Sequence, residues 1–279
     1  MSADLRRLSS KTLLYGFLVI SAAVVLIPLG WLVSTSFKND TEVFSTPPTW
    51  IPQEPTLEAF IRVWTDYPFL QYFQNSIVAV GSSTLIAVGF SALAGYGIAR
   101  FTFPGRGAFL VFLLVTQMFP SIMLLIPYYH IVQRLGLVNT VLSLVITYSS
   151  FTIPLCTWMM YGFFQGIPRE LDEAASIDGL GRLRTFAYVV LPLALPALAA
   201  TAIYAFITGW NEYVFALVLT QSEDVQTVAV GIGNLVGQYR ILWNDLMAAS
   251  LYALVPMLLI FGFLQRHLIT GLTGGAVKG

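Results

Sequence analysis

Side chains that could titrate, coordinate or attack are scarce in the apolar parts of this sequence. The two histidines, His130 and His267, lie far apart with no second metal ligand near either, and Cys156 is the single thiol. A metal site is therefore not expected, and an intrachain disulfide cannot form. There is no His-Glu-x-x-His motif and no Ser/His pair of convincing spacing, so no catalytic residues are assigned and the chain is not read as an enzyme. A Gly-x-x-x-x-Gly-Lys-Ser/Thr loop to cradle phosphates is missing too, which excludes ATP hydrolysis by this chain itself. Glu212, in Gly209-Trp210-Asn211-Glu212-Tyr213, is the only carboxylate embedded in an apolar run. An ionisable group inside a membrane is a functional candidate. Yet Glu212 follows Pro192 by about twenty residues, which at about 1.5 Å per residue reaches the far interface, where water can solvate it. Both readings stay open.

The chemistry that remains is that of contact, concentrated between Pro168 and Pro192. This charged stretch interrupts two long apolar runs. Pro168 suits a first helical turn, where no N–H is needed. Glu170, Asp172 and Glu173 follow near the positive end of the helix dipole. Leu171, Ala174 and Ala175 fall at i, i+3 and i+4, which makes one narrow face of small residues that a partner's groove can approach closely. Gly179 and Gly181 supply a stop. The spacing predicts a helix of about ten residues, short and amphipathic, between two membrane spans.

The elements that must position it follow from composition. The sequence is 57% hydrophobic and 10% charged, with mean hydropathy +0.76. That is far below the charge of about 25% typical of soluble domains, and it describes an integral membrane protein. A formal net charge of zero gives no nucleic-acid footprint. Six stretches free of Asp, Glu, Lys and Arg are long enough to span a bilayer: 12–37, 67–99, 107–133, 135–168, 185–211 and 246–265. Six spans put both termini on one side. With the N-terminus inside, ten Lys and Arg fall inside (Arg6, Arg7, Lys11, Arg100, Arg106, Arg169, Arg182, Arg184, Arg266 and Lys278) and four outside (Lys38, Arg62, Arg134 and Arg240). That bias assigns both termini, and the Glu173 helix, to the cytoplasm.

Further along, the outer loop 38–66 holds Pro47, Pro48, Pro52 and Pro55 with Trp50 and Trp64. It reads equally as an interfacial aromatic belt and as a docking surface. In the second span Gly81, Gly89, Gly95, Gly97, Ser82, Ser83, Ser91 and Ala94 favour tight helix packing. Pro120, Pro127 and Pro154 remove backbone bonds from spans three and four and predict bends. Gln117, Tyr148, Tyr204 and Asn211 are polar or aromatic groups in or at the ends of spans, and are candidates for lining a translocation path.

One combination of residues is more specific. Glu173-Ala174-Ala175, three residues, Gly179, nine residues, Val189, one residue and Leu191-Pro192 resembles the EAA signature of permease subunits of bacterial ABC importers. Val189 departs mildly from the family's usual isoleucine. Asn75-Ser76, Trp210-Asn211-Glu212 and the tail Gly271 to Gly279 are similar to the carbohydrate branch, in particular to the second permease subunit of the maltose system, and the likeness runs from about Gln71 to the C-terminus. The resemblance implies an all-α integral membrane protein with six transmembrane helices, the type I ABC importer permease fold, and a cytoplasmic coupling helix between spans four and five. It implies ATPase-coupling roles for Glu173, Ala174, Ala175, Asp178 and Gly179. The implied partners are a second permease, two ATPase subunits that use ATP and Mg, an extracytoplasmic solute-binding protein and the lipid bilayer; this chain itself binds no cofactor. The expected location is the bacterial plasma (inner) membrane, and the expected cargo is a sugar. The expected division is 1–70 for the cytoplasmic tail, first span and outer loop, 71–266 for the permease core and 267–279 for the C-terminal tail. The alternative is an ion-coupled secondary transporter or channel acting without an ATPase. It needs charges buried at mid-membrane, where Glu212 is the lone candidate.

Overall fold

The computed structural model describes residues 2–237 and 241–276, with side chains from 11 to 267 apart from 12 and 238–240. Arg240 and Lys278 of the charge count, and the end of the Gly271–Gly279 tail, lie outside the described residues. Apolar runs with strong helix formers give helices here, in the order α1 (Ser2–Ser36), α2 (Glu58–Thr65), α3 (Phe69–Arg100), α4 (Arg106–Met118), α5 (Leu125–Arg134), α6 (Val141–Gly166), α7 (Glu170–Ile177), α8 (Arg182–Thr185), α9 (Leu191–Leu193), α10 (Leu195–Trp210), α11 (Val214–Leu219), α12 (Val228–Asn234) and α13 (Trp243–Ala276). The described residues contain no β-strand, only an isolated bridge between Val236 and Ile241.

Four apolar segments are unbroken: Leu13–Ser36, Phe69–Arg100, Val141–Gly166 and Trp243–His267. Two more are bent pairs. Arg106–Met118 and Ser121–Arg134 meet at 97°, and Arg182–Leu193 and Leu195–Trp210 meet at 79°. Six spans therefore result when each bent pair counts as one. Of the three prolines expected to bend spans, Pro120 lies in the first break. Pro127 sits in the first turn of α5, where no bond is lost, and Pro154 is accommodated inside the continuous α6. The second bend falls at Ala194, between Pro192 and Pro196, just after a π-helical turn over Phe186–Val190.

The chain divides into two compact units, Met1–Tyr67 with Ile232–Leu254, and Pro68–Gly231 with Val255–Gly279. In the larger unit α3 lies along α6. Gly95 comes so near α6 that an added Cβ would sit 2.8 Å from both Met160 Cβ and Tyr161 N. Ser91 Oγ donates to the Ile153 carbonyl at 3.2 Å and accepts from Thr157 Oγ1 at 3.2 Å. Ala87, Cys156 and Ala205 form a second close layer. The small-residue stripe thus packs at Gly95, Ser83 and Ser91. A Cβ on Gly81, Gly89 or Gly97 would meet nothing within 4 Å, so at those glycines the packing expectation does not hold within this chain.

The smaller unit is organised by Arg62. Its guanidinium donates to Asp245 Oδ1 at 2.6 and 3.0 Å and to Asp40 Oδ1 at 3.0 Å, and pairs with Glu58 at 2.9 Å. Tyr67 adds a hydrogen bond to Asp245, and Asn244 Nδ2 donates to Asp40 at 2.7 Å. The hydrogen bond to Asp245, whose side chain is 0% exposed, is the largest cause raising the Arg62 pKa above the ordinary arginine value. Trp50 packs edge-on against Trp31 with ring centroids 5.0 Å apart, and Trp64 does the same against Tyr252. Both tryptophans keep exposed area while their rings serve internal packing. Removing one member of a buried ion pair strands the other. Asp245→Ala is accordingly expected to destabilise the protein by about 3 kcal/mol, read as a lowered Tm of the detergent-purified chain. An unchanged Tm would show that Asp40 and Glu58 suffice for Arg62.

Candidate functional site

The segment after α6 folds as its residues dictate. Pro168 stands just before the helix and not inside its first turn, Arg169 is the N-cap, and Glu170, Asp172 and Glu173 occupy the first turn. The C-terminus closes with Gly179 at φ 81°, where Gly179 N–H donates to the Ser176 carbonyl at 3.1 Å and Leu180 N–H to the Ala175 carbonyl at 2.9 Å. That pair of bonds is a Schellman motif, which requires a left-handed residue. Gly181 is not a second stop; it is extended and caps the start of α8. Gly179→Val is expected to cost about 1–2 kcal/mol of local order, visible as faster amide hydrogen exchange across residues 170–180.

The expected narrow face is split by the fold. Ala175 is 5% exposed and turned into its own chain, whereas Leu171, Glu173, Ala174 and Asp178 are exposed. What a partner meets is therefore Glu173, Ala174 and Asp178, with Ala175 supporting them from behind. Beside α7 opens a groove of about 260 Å³ whose lining mixes the charged Arg100, Arg169, Asp172, Glu173 and Arg182 with the apolar Phe101 and Leu180.

One acidic residue of the segment faces inward. Asp172 Oδ1 accepts from the Tyr96 hydroxyl at 2.7 Å, and Asp172 Oδ2 lies 2.9 Å from Arg100 Nε. Arg100 also donates to the Phe164 carbonyl at 3.0 Å, and Arg169 to that of Ala99 at 3.3 Å. Phe164 and Phe186 pack around the Tyr96 ring at centroid distances of 5.8 and 4.9 Å. Pairing with Asp172 had no sequence signal, because Tyr96 and Arg100 lie more than seventy residues away in the chain.

At the other end of α3, Asn75 Nδ2 donates to the carbonyls of Asp224 and Gln226, both at 2.9 Å, and Ser76 Oγ accepts from Val228 N–H at 2.8 Å. Gly231 runs so close to Tyr72 that no Cβ fits between them. Asn75-Ser76 is thus the clasp that holds the segment 224–228.

The path candidates separate. Gln117 and Tyr204 line one groove of about 300 Å³ together with Ser121, Thr208 and Glu212. Tyr148 is fully buried, with its hydroxyl 3.4 Å from Glu212 Oε2, and Asn211 turns its amide back to the Ile207 carbonyl, so neither lines that groove. Glu212 also serves its own backbone. Its Oε1 accepts from Phe215 N–H and its Oε2 from Ala216 N–H, both at 3.0 Å, which caps the start of α11.

Three sets of likeness bear on this arrangement. The chain is 37% identical over 264 residues to the trehalose/maltose transport system permease protein MalG of Thermococcus litoralis, covering 94% of each. It is 34% identical over 276 residues to the inner membrane ABC transporter permease protein YcjP of Escherichia coli K12, covering 98% of this chain and 99% of that one. Among solved structures it superposes with TM-score 0.78 and 22% identity on a bacterial ABC transporter involved in the import of the acidic polysaccharide alginate, covering 91% of this chain and 95% of that one, a likeness of fold. A second structure, of a bacterial alginate ABC transporter in complex with a pentasaccharide-bound periplasmic protein, gives TM-score 0.68 at 16% identity over 94% of this chain and 95% of that one. Residues 87–273, which include α7, its Schellman turn and both bent pairs, match the model of one family, and the chain belongs to it: the binding-protein-dependent transport system inner membrane components.

Proposed function

We propose that this chain is the membrane subunit of an importer that moves a sugar inward, driven by ATP hydrolysed in separate subunits that dock on α7. The observation that carries this reading is the exposed set Glu173, Ala174 and Asp178 on a helix closed by Gly179, in a chain similar end to end to a trehalose/maltose permease. Glu173 would bond donors in the ATPase groove, Ala174 would fit its floor, and Gly179 would turn the chain out again. The ATPases supply the ATP and Mg site, a second permease completes the path, and an extracytoplasmic binding protein delivers the sugar. The ten-to-four bias of Lys and Arg supports cytoplasmic termini in the plasma (inner) membrane. Gln117 and Tyr204, in one groove, are the side chains proposed to face the cargo.

The test is affinity purification of the tagged chain from its native membrane in detergent, with the partners identified by mass, followed by transport in liposomes. Recovery of a second permease and an ATPase, with sugar uptake that requires ATP, is the expected result. A chain recovered alone that moves solute without ATP would overturn the proposal.

A further inference from the structure

The acidic residues of α7 divide their work. Glu173 is exposed, whereas Asp172 is turned inward onto a helix that belongs neither to its own segment nor to the spans flanking it. The side chains of Arg100 and Asp172 are 7% and 20% exposed, so their ion pair is shielded from most of the screening that weakens surface pairs. Tyr96 shares the same carboxylate through its other oxygen, and Arg169 ties the start of α7 to the Ala99 carbonyl. Four polar links thus fasten one end of α3: two onto α7, one from Arg169 and one from Arg100 to the Phe164 carbonyl.

The opposite end of α3 is fastened as firmly. Asn75 and Ser76, at 6% and 3% exposure, together hold two carbonyls and one N–H of residues 224–228. Between Ser76 and Tyr96 the helix is uninterrupted, about 30 Å at 1.5 Å per residue, which matches the hydrocarbon thickness of a bilayer. Of the neighbouring segments, α4 with α5 and the α8–α9 segment with α10 are bent, by 97° and 79°, whereas α6 is unbroken like α3 and is tied to it where Arg100 donates to the Phe164 carbonyl. A straight rod transmits displacement along its axis; a bent pair can absorb it at the bend.

We infer that Asp172 is a positioning residue that locks α7 to α3, and that α3 carries the movement of α7 across the membrane to the segment 224–228. The inference rests on the proposed docking of an ATPase on α7. It assigns Asp172 no contact with that partner, which distinguishes it from Glu173. Coupling between the two membrane faces then runs through a side chain that neither ligand touches.

The experiment uses the whole complex purified from its native membrane and reconstituted in liposomes. A cysteine placed at Gln74, an exposed position near the Asn75 clasp, carries a nitroxide label; the native Cys156 is fully buried and stays unlabelled. The readouts are ATPase co-purification, sugar transported per ATP hydrolysed, and the spectral change of the label on adding ATP. With Asp172→Ala the ATPase is expected to co-purify as in the parent, transport per ATP to fall roughly tenfold, and the ATP-driven change at position 74 to disappear. Asp172→Asn keeps an acceptor for Tyr96 and should recover part of both signals, as should Tyr96→Phe, which keeps the ion pair. If Asp172→Ala fails to assemble, the Tyr96→Phe variant decides by the same two readouts. An assembled Asp172→Ala complex with parental transport per ATP and an undiminished label response would overturn the inference. A parent complex that contains no ATPase would overturn the proposed function instead, and with it the premise of the lock.

Discussion

Gly95→Leu is expected to prevent the chain from accumulating as a folded, monodisperse species in detergent. The reason is geometric. Even a single Cβ at this position would stand 2.8 Å from Met160 Cβ and from Tyr161 N, and a backbone atom cannot step aside as the tip of a side chain can. Membrane helices associate by close backbone approach, because the lipid offers no hydrophobic drive. Separating α3 from α6 here would also pull apart Ser91 from Ile153 and Thr157, and Ala87 from Cys156. Gly95→Ala is the graded version, with an expected loss of about 1–3 kcal/mol from overpacking. Gly89→Leu on the same helix is the control, since its Cβ would meet nothing within 4 Å. Size-exclusion profiles and Tm values of the three variants check the series. Equal behaviour of Gly95→Leu and Gly89→Leu would remove the contact from its place at the centre of the fold.

Ala174→Phe is expected to have the opposite profile: a normal chain and a failed transporter. Ala174 is exposed on α7, so a larger side chain has solvent to extend into. The cost would fall on the groove that receives it. Loss of a hot-spot contact of about 2 kcal/mol corresponds to about 30-fold weaker docking. Transport should fall by a similar factor while insertion and Tm stay parental, and ATP hydrolysis, where it persists, should no longer be tied to uptake. Ala175→Phe separates the two effects, because Ala175 is 5% exposed and its enlargement should lower Tm as well. Parental uptake by Ala174→Phe would sink the role assigned to this helix face.

How much could be read from residues alone depends on the range of the interaction that fixes each feature. The helix at 170–177 and its glycine turn were legible because capping, dipole and left-handed backbone act within a few residues. The long apolar runs were legible because length and composition alone decide whether a helix can cross a bilayer. The bends were legible only in part. Pro120 breaks its span as expected, but Pro154 does not, and nothing local distinguishes a proline whose freed carbonyl finds a partner from one whose carbonyl does not. The bend at Ala194 had a signal in Leu191-Pro192-Leu193-Ala194-Leu195-Pro196, two prolines four residues apart, that a count of uncharged residues passes over. The grip of Asp172 on Tyr96 and Arg100, and of Asn75 on 224–226, spans from more than seventy to about one hundred and fifty residues of chain, and no periodicity encodes it. Glu212 shows the same limit from the other side. Its place in an apolar run left an ion site and a solvated group as open readings, and the bonds of its two oxygens to the Phe215 and Ala216 N–H groups had no signal in that run.

The two breaks, after Met118 and around Ala194, carry a consequence for solvation. A continuous helix hides its peptide groups from lipid by bonding each to the next turn; an interrupted one leaves carbonyls and amides without that closure. Acyl chains cannot satisfy them, so each interruption must be bathed by water or covered by polypeptide. Among the described residues the other four spans are unbroken, so this requirement for water or a polypeptide cover falls on these two places.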